Sequence, residues 1–152
     1  MKLIAHRGNI NGKVSSHENN PAYLMDAIRV GYDVECDVRL FNGEYYLGHD
    51  APNYGVTTQF LRNPSLWCHA KDAATLHGLL EVGGVHCFAH NNDPVVLTSL
   101  NYLWTYPGYP ITPKSIYVLP ELHDEDPLKI AVCYGICSDF ISHYDIPKYR
   151  GA

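Results

Sequence analysis

The segment Gly31-Tyr32-Asp33-Val34-Glu35-Cys36-Asp37-Val38 carries the clearest fold signal in the chain. Its glycine ends a predicted helix, and an apolar strand that carries Glu35 and Asp37 follows. Side chains alternate between the two faces of a strand. Glu35 and Asp37 therefore share one face, and the apolar residues around them share the other. The apolar face predicts packing beneath helices, which turns the two carboxylates toward the opposite side of the sheet.

Two buried carboxylates a few ångströms apart repel each other unless a cation lies between them. Because Mg²⁺ and Ca²⁺ prefer hard oxygen ligands, the strand predicts a site for one of these ions at Glu35 and Asp37. Two alternatives stay open on this segment alone. One carboxylate pairs with an Arg or Lys side chain, or the strand lies at an edge with one face in water.

Short apolar runs continue on both sides of this strand, each ending at a polar residue and followed by a loop or helix. Asn20 and Pro21 open a helix predicted over about 21–30, and a second helix is predicted over 73–82. Asn42-Gly43 is the turn signal of a β-hairpin. Strands and helices that alternate in this way favour βαβ units with parallel strands.

The chain has 152 residues, in which we count about seven main strands but only three or four convincing helices. A complete β/α barrel of the TIM type usually needs about 200–250 residues. The sequence therefore predicts an α/β protein: a shortened or irregular TIM-type barrel with about seven strands and few outer helices, in a single domain over 1–152. A homodimer that covers exposed strand edges is compatible with such a fold.

Composition excludes several classes of partner. Lys and Arg number 11 and Asp and Glu number 16, so the net charge of −5 argues against nonspecific binding of nucleic acid or anionic lipid. Apolar runs are shorter than the roughly 18 residues that span a bilayer, and the N-terminal segment turns polar at His6, so neither a transmembrane segment nor a signal peptide is predicted. Five cysteines without a Cys-x-x-Cys pair predict a reduced, cytoplasmic protein.

Ionisable side chains stand at or near the ends of the predicted strands, where parallel strands of a barrel meet at one mouth. They are His6, Glu35, Asp37, His69, Lys71, His90, Glu121 and Asp139. Each residue alone has a structural explanation, such as a surface lysine or a packed histidine, but their joint placement indicates a site. Two histidines, a cation and Lys71 suit phosphodiester cleavage, in which negative charge grows on phosphate oxygens while one imidazole accepts a proton and the other donates one.

Five elements of the first 50 residues follow one another at a recognisable spacing. They are His6-Arg7-Gly8, Glu18-Asn19, Gly31-x-Asp33-Val34-Glu35-Cys36-Asp37-Val38, Asn42-Gly43 and His49-Asp50. This order resembles the opening signature of the glycerophosphodiester phosphodiesterases, which belong to the phosphatidylinositol phospholipase C-like phosphodiesterases and are β/α barrels. Gly135-Ile136-Cys137-Ser138-Asp139 is similar to the family's final strand, and the middle of the chain is similar to a subgroup of short members.

The resemblance implies a role for each matching residue. It assigns acid/base catalysis to His6 and His49, metal binding to Glu35 and Asp37, and the phosphate pocket to Arg7, Glu18 and Lys71. The family's third metal carboxylate lies two residues before the lysine, where this chain has His69. Either His69 binds the metal, or Glu121 supplies the missing charge, or the metal is held more weakly.

The sequence thus predicts a metal-dependent phosphodiesterase, a phosphoric diester hydrolase acting on a small or lipid-derived glycerophosphodiester-like substrate. Only 15 residues separate Asp50 from Leu66, which leaves no room for the larger insertion that many relatives carry over the glycerol site. Two other functions stay open. One is a non-catalytic protein that binds a phosphodiester or polyol phosphate, and the other is a cyclising phosphodiester lyase of the same fold.

Overall fold

The computed structural model describes residues 1–123 and 126–150. Within these ranges the chain forms one ten-stranded mixed sheet and five α-helices. The strands are β1 (Lys2–His6), β2 (Asp33–Phe41), β3 (Glu44–Leu47), β4 (Tyr54–Val56), β5 (Leu66–Ala70), β6 (Cys87–Ala89), β7 (Val95–Leu97), β8 (Leu103–Thr105), β9 (Ser115–Val118) and β10 (Gly135–Ser138). The helices are α1 (Pro21–Arg29), α2 (Thr58–Leu61), α3 (Ala73–Val82), α4 (Pro127–Val132) and α5 (Pro147–Arg150).

The predicted shortened or irregular TIM-type barrel with about seven strands is wrong. The sheet runs in the order β4-β3-β2-β1-β10-β9-β8-β7, and β5 and β6 continue from the other edge of β2. It is curled but mixed, because β3, β4 and β7 pair antiparallel with their neighbours while the remaining pairs are parallel. Over the described ranges, β6 pairs with β5 alone, so no ladder joins the two ends of the sheet.

The chain after β6 explains why the sheet stays open. It returns directly as the short antiparallel strand β7 instead of forming an outer helix and another parallel strand. The free edge of β6 is then covered by side-chain and loop contacts. The backbone N–H of Cys87 donates to Ser99 Oγ at 2.9 Å, and the Ser99 N–H donates to the Cys87 carbonyl at 2.8 Å. These two bonds satisfy the backbone N–H and carbonyl of Cys87, which a further strand would otherwise pair with.

The two faces of the sheet carry separate apolar clusters, in agreement with the predicted alternation. Val34, Cys36 and Val38 are fully buried on the face that packs against helices such as α1 and α3. The concave face holds a second cluster made of Ile4, Trp67, Phe88, Trp104, Ile116, Val118 and Cys137. This aromatic floor lies beneath the carboxyl ends of the parallel strands, where the polar side chains gather.

The two helices with the clearest sequence signals form as predicted. Asn20 caps α1, since its side chain accepts the backbone N–H of Ala22 at 2.9 Å. Asp72 caps α3 by accepting from the N–H of Thr75 at 2.7 Å, and Gly83 ends that helix with a φ of 70°. None of the helices in the described ranges has the length and apolar character needed to cross a membrane.

The short elements were harder to predict. The hairpin at Asn42-Gly43 forms between β2 and β3 as predicted, whereas β4 and β7 lie in segments for which the sequence predicts no element. Each of these two strands has three residues, too few to show an alternating pattern. Strand β4 matters for the site, because its pairing with β3 holds the turn that carries Gly48 and His49.

The turn after β3 supplies a stability test. At Gly48 an added Cβ would lie 1.9 Å from the Ala51 carbonyl oxygen, and its φ is 154°. Gly48→Ala is expected to lower the free energy of unfolding by about 1–3 kcal/mol, because the turn must shift to accommodate the methyl group. Thermal and urea unfolding measure the change. Gly55→Ala in β4, where the nearest atom is 3.8 Å away, is the matched control, and equal stability of the two variants would contradict the prediction.

Candidate active site

The register of three parallel strands brings the predicted polar residues together. His6 at the end of β1 is the register partner of Glu35, and Asp37 is the partner of His69 on β5. The carboxylates of Glu35 and Asp37 are almost completely buried. The site is therefore assembled by backbone pairing of strands that are far apart in the sequence.

Asp37 is held by a polar clamp formed by the loop after β1. Asn19 Nδ2 donates to Asp37 Oδ2 at 2.9 Å, and Asn19 Oδ1 accepts the backbone N–H of Asp37 at 2.9 Å. Arg7 Nε lies 3.0 Å from the same carboxylate oxygen. Both clamping residues have a left-handed backbone, with φ of 52° at Arg7 and 63° at Asn19. Asn adopts this conformation more readily than most residues, whereas Arg does so rarely.

Asp37 stays ionised in spite of complete burial. Burial alone would raise its pKa, but His69, the charge of Arg7, the Asn19 amide and the charge of Lys71 together hold the pKa well below its usual range. Its second oxygen, Oδ1, lies 3.3 Å from His69 Nδ1 and 3.4 Å from Lys71 Nζ. Such charge balance permits a carboxylate to be buried without a prohibitive desolvation cost.

His69 is fixed at both ring nitrogens. Nε2 donates to the backbone carbonyl of His90 at 3.0 Å, and Nδ1 faces Asp37 and, at 3.7 Å, Glu35 Oε1. The ring also stacks on Phe88 with an interplanar angle of 7°. Burial lowers the pKa of His69, but the two carboxylates outweigh that effect and raise the pKa to about 9.

Three side chains form a group of donors that could hold a metal ion, namely Glu35, Asp37 and His69, with candidate ligand atoms within 4.8 Å of one another. Asp37 Oδ1 is buried and makes no hydrogen bond within the described part of the structure. An oxygen of this kind, next to a second carboxylate and an imidazole, fits a divalent cation. Of the two alternatives for the third ligand, the group includes His69, and the second, Glu121, lies outside it.

Glu121 acts instead on the residue that supports His6. Its Oε1 accepts the backbone N–H of Asp139 at 2.9 Å, from a 3₁₀ turn over Pro120–Leu122. Asp139 Oδ1 in turn accepts from His6 Nδ1 and from Asn9 Nδ2, each at 2.8 Å. A carboxylate can only accept, so Nδ1 of His6 carries a proton and Nε2 faces the cavity.

Two carboxylates and burial set the charge of His6. Burial opposes the charged imidazolium, but the hydrogen bond to Asp139 and the negative charge of Glu35, whose Oε2 lies 3.7 Å from Nε2, raise the pKa above its ordinary value. Asp139 shows the complementary effect. Its pKa is lowered against the effect of burial by His6 and Asn9. The pair thus favours a protonated histidine beside an ionised aspartate.

His49 is more exposed than His6 and reaches the site from the hairpin. Its Nδ1 donates to Asp50 Oδ1 at 2.7 Å, which leaves Nε2 with a free lone pair when the ring is neutral. Arg39 Nε donates to the carbonyl of Gly48 at 3.0 Å, and a second guanidinium nitrogen donates to the carbonyl of His49. Arg39 therefore fixes the backbone conformation at His49.

Six of the nine predicted site residues line a common cavity of about 420 Å³, whereas Glu18, Asp37 and Glu121 do not belong to its walls. Its walls are His6, Arg7, Glu35, His49, His69, Lys71, His90, Asn91, Trp104, Tyr106, Val118 and Leu119. An adjoining cavity of about 370 Å³ shares Arg7 and His49 and includes the predicted Glu18, whose carboxylate lies 3.3 Å from the Arg7 guanidinium. The aromatic wall comes from Tyr106, stacked on His90 with ring centroids 4.3 Å apart.

A wider cleft of about 910 Å³ lies at the opposite ends of the strands, where β1 and β2 begin. Its polar lining includes Lys2 and Asp33, which pair with each other at 3.2 Å. The possible metal ligands Glu35, Asp37 and His69 do not line this cleft, and neither do His6 and His49. The chemistry of the lining side chains, and not the cavity volume, therefore identifies the cavity of about 420 Å³ as the candidate site.

Sequence reasoning missed the residues that support the site. Asn9 is fully buried and bridges Asp139 to Glu18 Oε1, the latter at 2.9 Å, and Asn19 holds Asp37. Both are asparagines in the loop after β1, a residue type also common in turns, so composition offered no distinguishing signal. Asn19 belongs to the Glu18-Asn19 element of the resemblance, which assigns it no contact with Asp37.

Comparison of the chain with models of known protein families, with curated proteins and with solved structures found no match. The geometry of the cavity, together with the resemblance of the first 50 residues, is therefore the basis for a functional proposal.

Asn19 provides a test of the clamp on Asp37. Asn19→Gly is expected to cost about 1–3 kcal/mol of unfolding free energy, since it leaves buried polar atoms of Asp37 unsatisfied while tolerating the positive φ. Asn19→Ala should cost roughly 1 kcal/mol more for backbone strain. Urea unfolding measures both changes. Asn101→Ala, at an exposed residue with φ of 66°, isolates the strain contribution, and a wild-type stability for Asn19→Gly would show that the clamp is unimportant.

The raised pKa of His69 predicts a pH dependence of stability in the presence of a chelator. The folded state binds the His69 proton more tightly than the unfolded state, so this stabilisation is complete below about pH 6.5 and is lost as the pH rises through about 9. The difference in unfolding free energy between wild type and His69→Gln should fall by on the order of 3 kcal/mol between pH 6 and pH 10. Urea unfolding across this range measures it, and a constant difference would rule out the coupling.

Proposed function

We propose that the protein is a metal-dependent phosphodiesterase that cleaves a glycerophosphodiester-like substrate by two-histidine acid/base catalysis. The observation that carries the proposal is the shared cavity, in which His6 and His49 lie beside the donor group of Glu35, Asp37 and His69. Each histidine is oriented by its own aspartate, Asp139 or Asp50. Two oriented imidazoles beside a cation site are the minimum set for proton transfer at both sides of a phosphorus atom.

The surroundings of the histidines support different roles. The raised pKa of His6 favours its imidazolium form, so His6 donates the proton of Nε2 to the leaving alcohol oxygen as the P–O bond breaks. His49 has its Nδ1 proton bound to Asp50, and its Nε2 lone pair accepts the proton of the attacking water or substrate hydroxyl. The attacking oxygen forms the new P–O bond, and both histidines return to their starting forms by proton exchange with water.

Positive charge in the cavity suits an anionic substrate. Arg7 and Lys71 line it, and the Lys71 ammonium is within 3.4 Å of Asp37 and only partly exposed. A divalent cation held by Glu35, Asp37 and His69 would supply further electrostatic stabilisation of the phosphate oxygens. The cation-binding residues lie on paired strands, so they are preorganised and need no large rearrangement.

The substrate class rests on the resemblance of the first 50 residues to glycerophosphodiester phosphodiesterases, with the small cavity as support. At about 420 Å³, the cavity suits a small or lipid-derived phosphodiester. The aromatic wall of Tyr106 and His90 offers a surface for one alcohol group. The five cysteines are free, which supports our proposal that the protein works in the reducing cytoplasm.

Turnover of glycerophosphocholine and of bis(p-nitrophenyl) phosphate, each with a panel of divalent cations, tests the proposal. His6→Ala and His49→Ala are each expected to lower kcat by about 10²–10⁴-fold, because each removes one proton-transfer group. His77→Ala, at an exposed histidine of α3, is the matched control and should retain wild-type turnover. Circular dichroism and thermal unfolding verify that the variants fold.

Several outcomes would reject the proposal or one of its parts. Retained turnover in a histidine variant removes that residue from the mechanism, and turnover unaffected by chelator removes the metal. Tight binding of the phosphodiester in a thermal-shift assay, with no product under any cation, indicates a binding protein instead. A cyclic phosphate as the final product, seen by ³¹P NMR, indicates a lyase.

A further inference from the structure

The donor group of the site is chemically mixed, because it combines two carboxylates with one imidazole. Glu35 Oε1 and Asp37 Oδ1 lie 3.7 Å and 3.3 Å from His69 Nδ1. Mg²⁺ and Ca²⁺ prefer sites made entirely of oxygen, whereas imidazole nitrogen suits first-row transition metals such as Fe²⁺ and Zn²⁺. The nitrogen at this position therefore bears on which metal the site accepts.

The hydrogen bond at the far side of the His69 ring determines which nitrogen can bind a metal. The His90 carbonyl can only accept, so Nε2 carries the hydrogen that it donates at 3.0 Å. In the neutral ring Nδ1 then has its lone pair directed toward Glu35 and Asp37. Metal-binding histidines commonly donate their other ring N–H to a backbone carbonyl, which fixes the tautomer and the orientation of the ring. His69 has both features of such a ligand.

The two carboxylates are oriented in a complementary way. Asp37 Oδ2 is occupied by Asn19 and faces Arg7, while buried Oδ1 has no hydrogen bond within the described residues. This oxygen lies 3.3 Å from His69 Nδ1 and 3.4 Å from the Lys71 ammonium. Glu35 Oε2 accepts the backbone N–H of Arg7 at 3.3 Å, while Oε1 faces His69. Each side chain thus uses one atom to hold its place and leaves another directed at a common point.

We propose that this site selects an imidazole-preferring divalent transition metal, of the class of Fe²⁺, Co²⁺ and Zn²⁺, over Mg²⁺ and Ca²⁺, and that His69 makes the selection. Three protein ligands next to an open cavity leave a coordination position for water or substrate, as in catalytic zinc sites. The inference concerns the same site as the proposed function and refines its cofactor. Metal selectivity is measured by binding alone, without any assay of turnover.

Metal binding to the full chain, after removal of metals by a chelator and dialysis, tests the inference directly. Titration with Co²⁺ is expected to produce a visible d–d absorption band that saturates at one equivalent. One equivalent of Zn²⁺ should abolish the band, whereas an excess of Mg²⁺ or Ca²⁺ should leave it unchanged. Displacement of Co²⁺ by Mg²⁺ or Ca²⁺ at similar concentrations would overturn the inference, as would the absence of a saturable band.

Substitutions of His69 assign the selection to that residue. His69→Gln should weaken Zn²⁺ binding by more than about 100-fold, which exceeds the usual effect of losing an outer-shell contact. His69→Glu gives an all-carboxylate group and should bind Mg²⁺ or Ca²⁺ more tightly than wild type does while losing its preference for Zn²⁺. His77→Glu on α3 is the matched control and should bind metals as wild type does. Wild-type Zn²⁺ affinity in a folded His69→Gln variant would reject the role of His69.

The same samples separate this inference from the proposed function. Selective binding of Co²⁺ and Zn²⁺ without cleavage of any phosphodiester supports the metal assignment and contradicts the phosphodiesterase. Cleavage that depends on Mg²⁺ or Ca²⁺, with no preferential Zn²⁺ or Co²⁺ binding, supports the phosphodiesterase and overturns the metal assignment. If His69→Glu and His69→Gln fail to fold, the wild-type titration alone still decides which metal class is selected.

Discussion

The burial of the Asp37 carboxylate is the constraint on which the site depends. A fully buried carboxylate is costly unless opposite charge and hydrogen bonds surround it, and here Asn19, Arg7, His69 and Lys71 all approach it. These residues come from the loop after β1 and from β5 and its end. The Asp37 side chain on β2 therefore connects three parts of the chain that are distant in sequence. The contact between Asp37 and His69 accordingly works against burial in both residues, lowering the pKa of Asp37 and raising that of His69.

Backbone strain is concentrated around this cavity. Among the described residues, positive φ outside glycine occurs at Arg7, Asn19 and Leu119 and at two further asparagines, Asn42 and Asn101. Arg7 and Leu119 both line the cavity, and neither residue type adopts this conformation readily. Strain of this kind persists where surrounding contacts determine the backbone, and it is frequent at binding and catalytic sites. The strained positions thus agree with the chemistry in locating the site.

Much of the candidate site, but less of the fold, could be predicted from sequence. Alternation along β2 and β5 placed Glu35, Asp37 and His69 on one face, because strand parity is a local property. The predicted shortened or irregular TIM-type barrel is wrong because the sheet's closure depends on what the chain does after β6, where the three-residue strand β7 turns back antiparallel. Edge pairing is a long-range choice that a short segment does not encode.

The parity of each strand and the caps of α1 and α3 can be read from the sequence alone, because each follows from backbone geometry within a few residues. Which of the two candidates for the third ligand lies beside Glu35 and Asp37 depends on the tertiary structure. Strand register sets His69 opposite Asp37, while Glu121 bonds the backbone of Asp139 behind His6. Register and crossover position are fixed by packing over the whole sheet, so side chains 32 residues apart, such as those of Asp37 and His69, meet only in the assembled sheet.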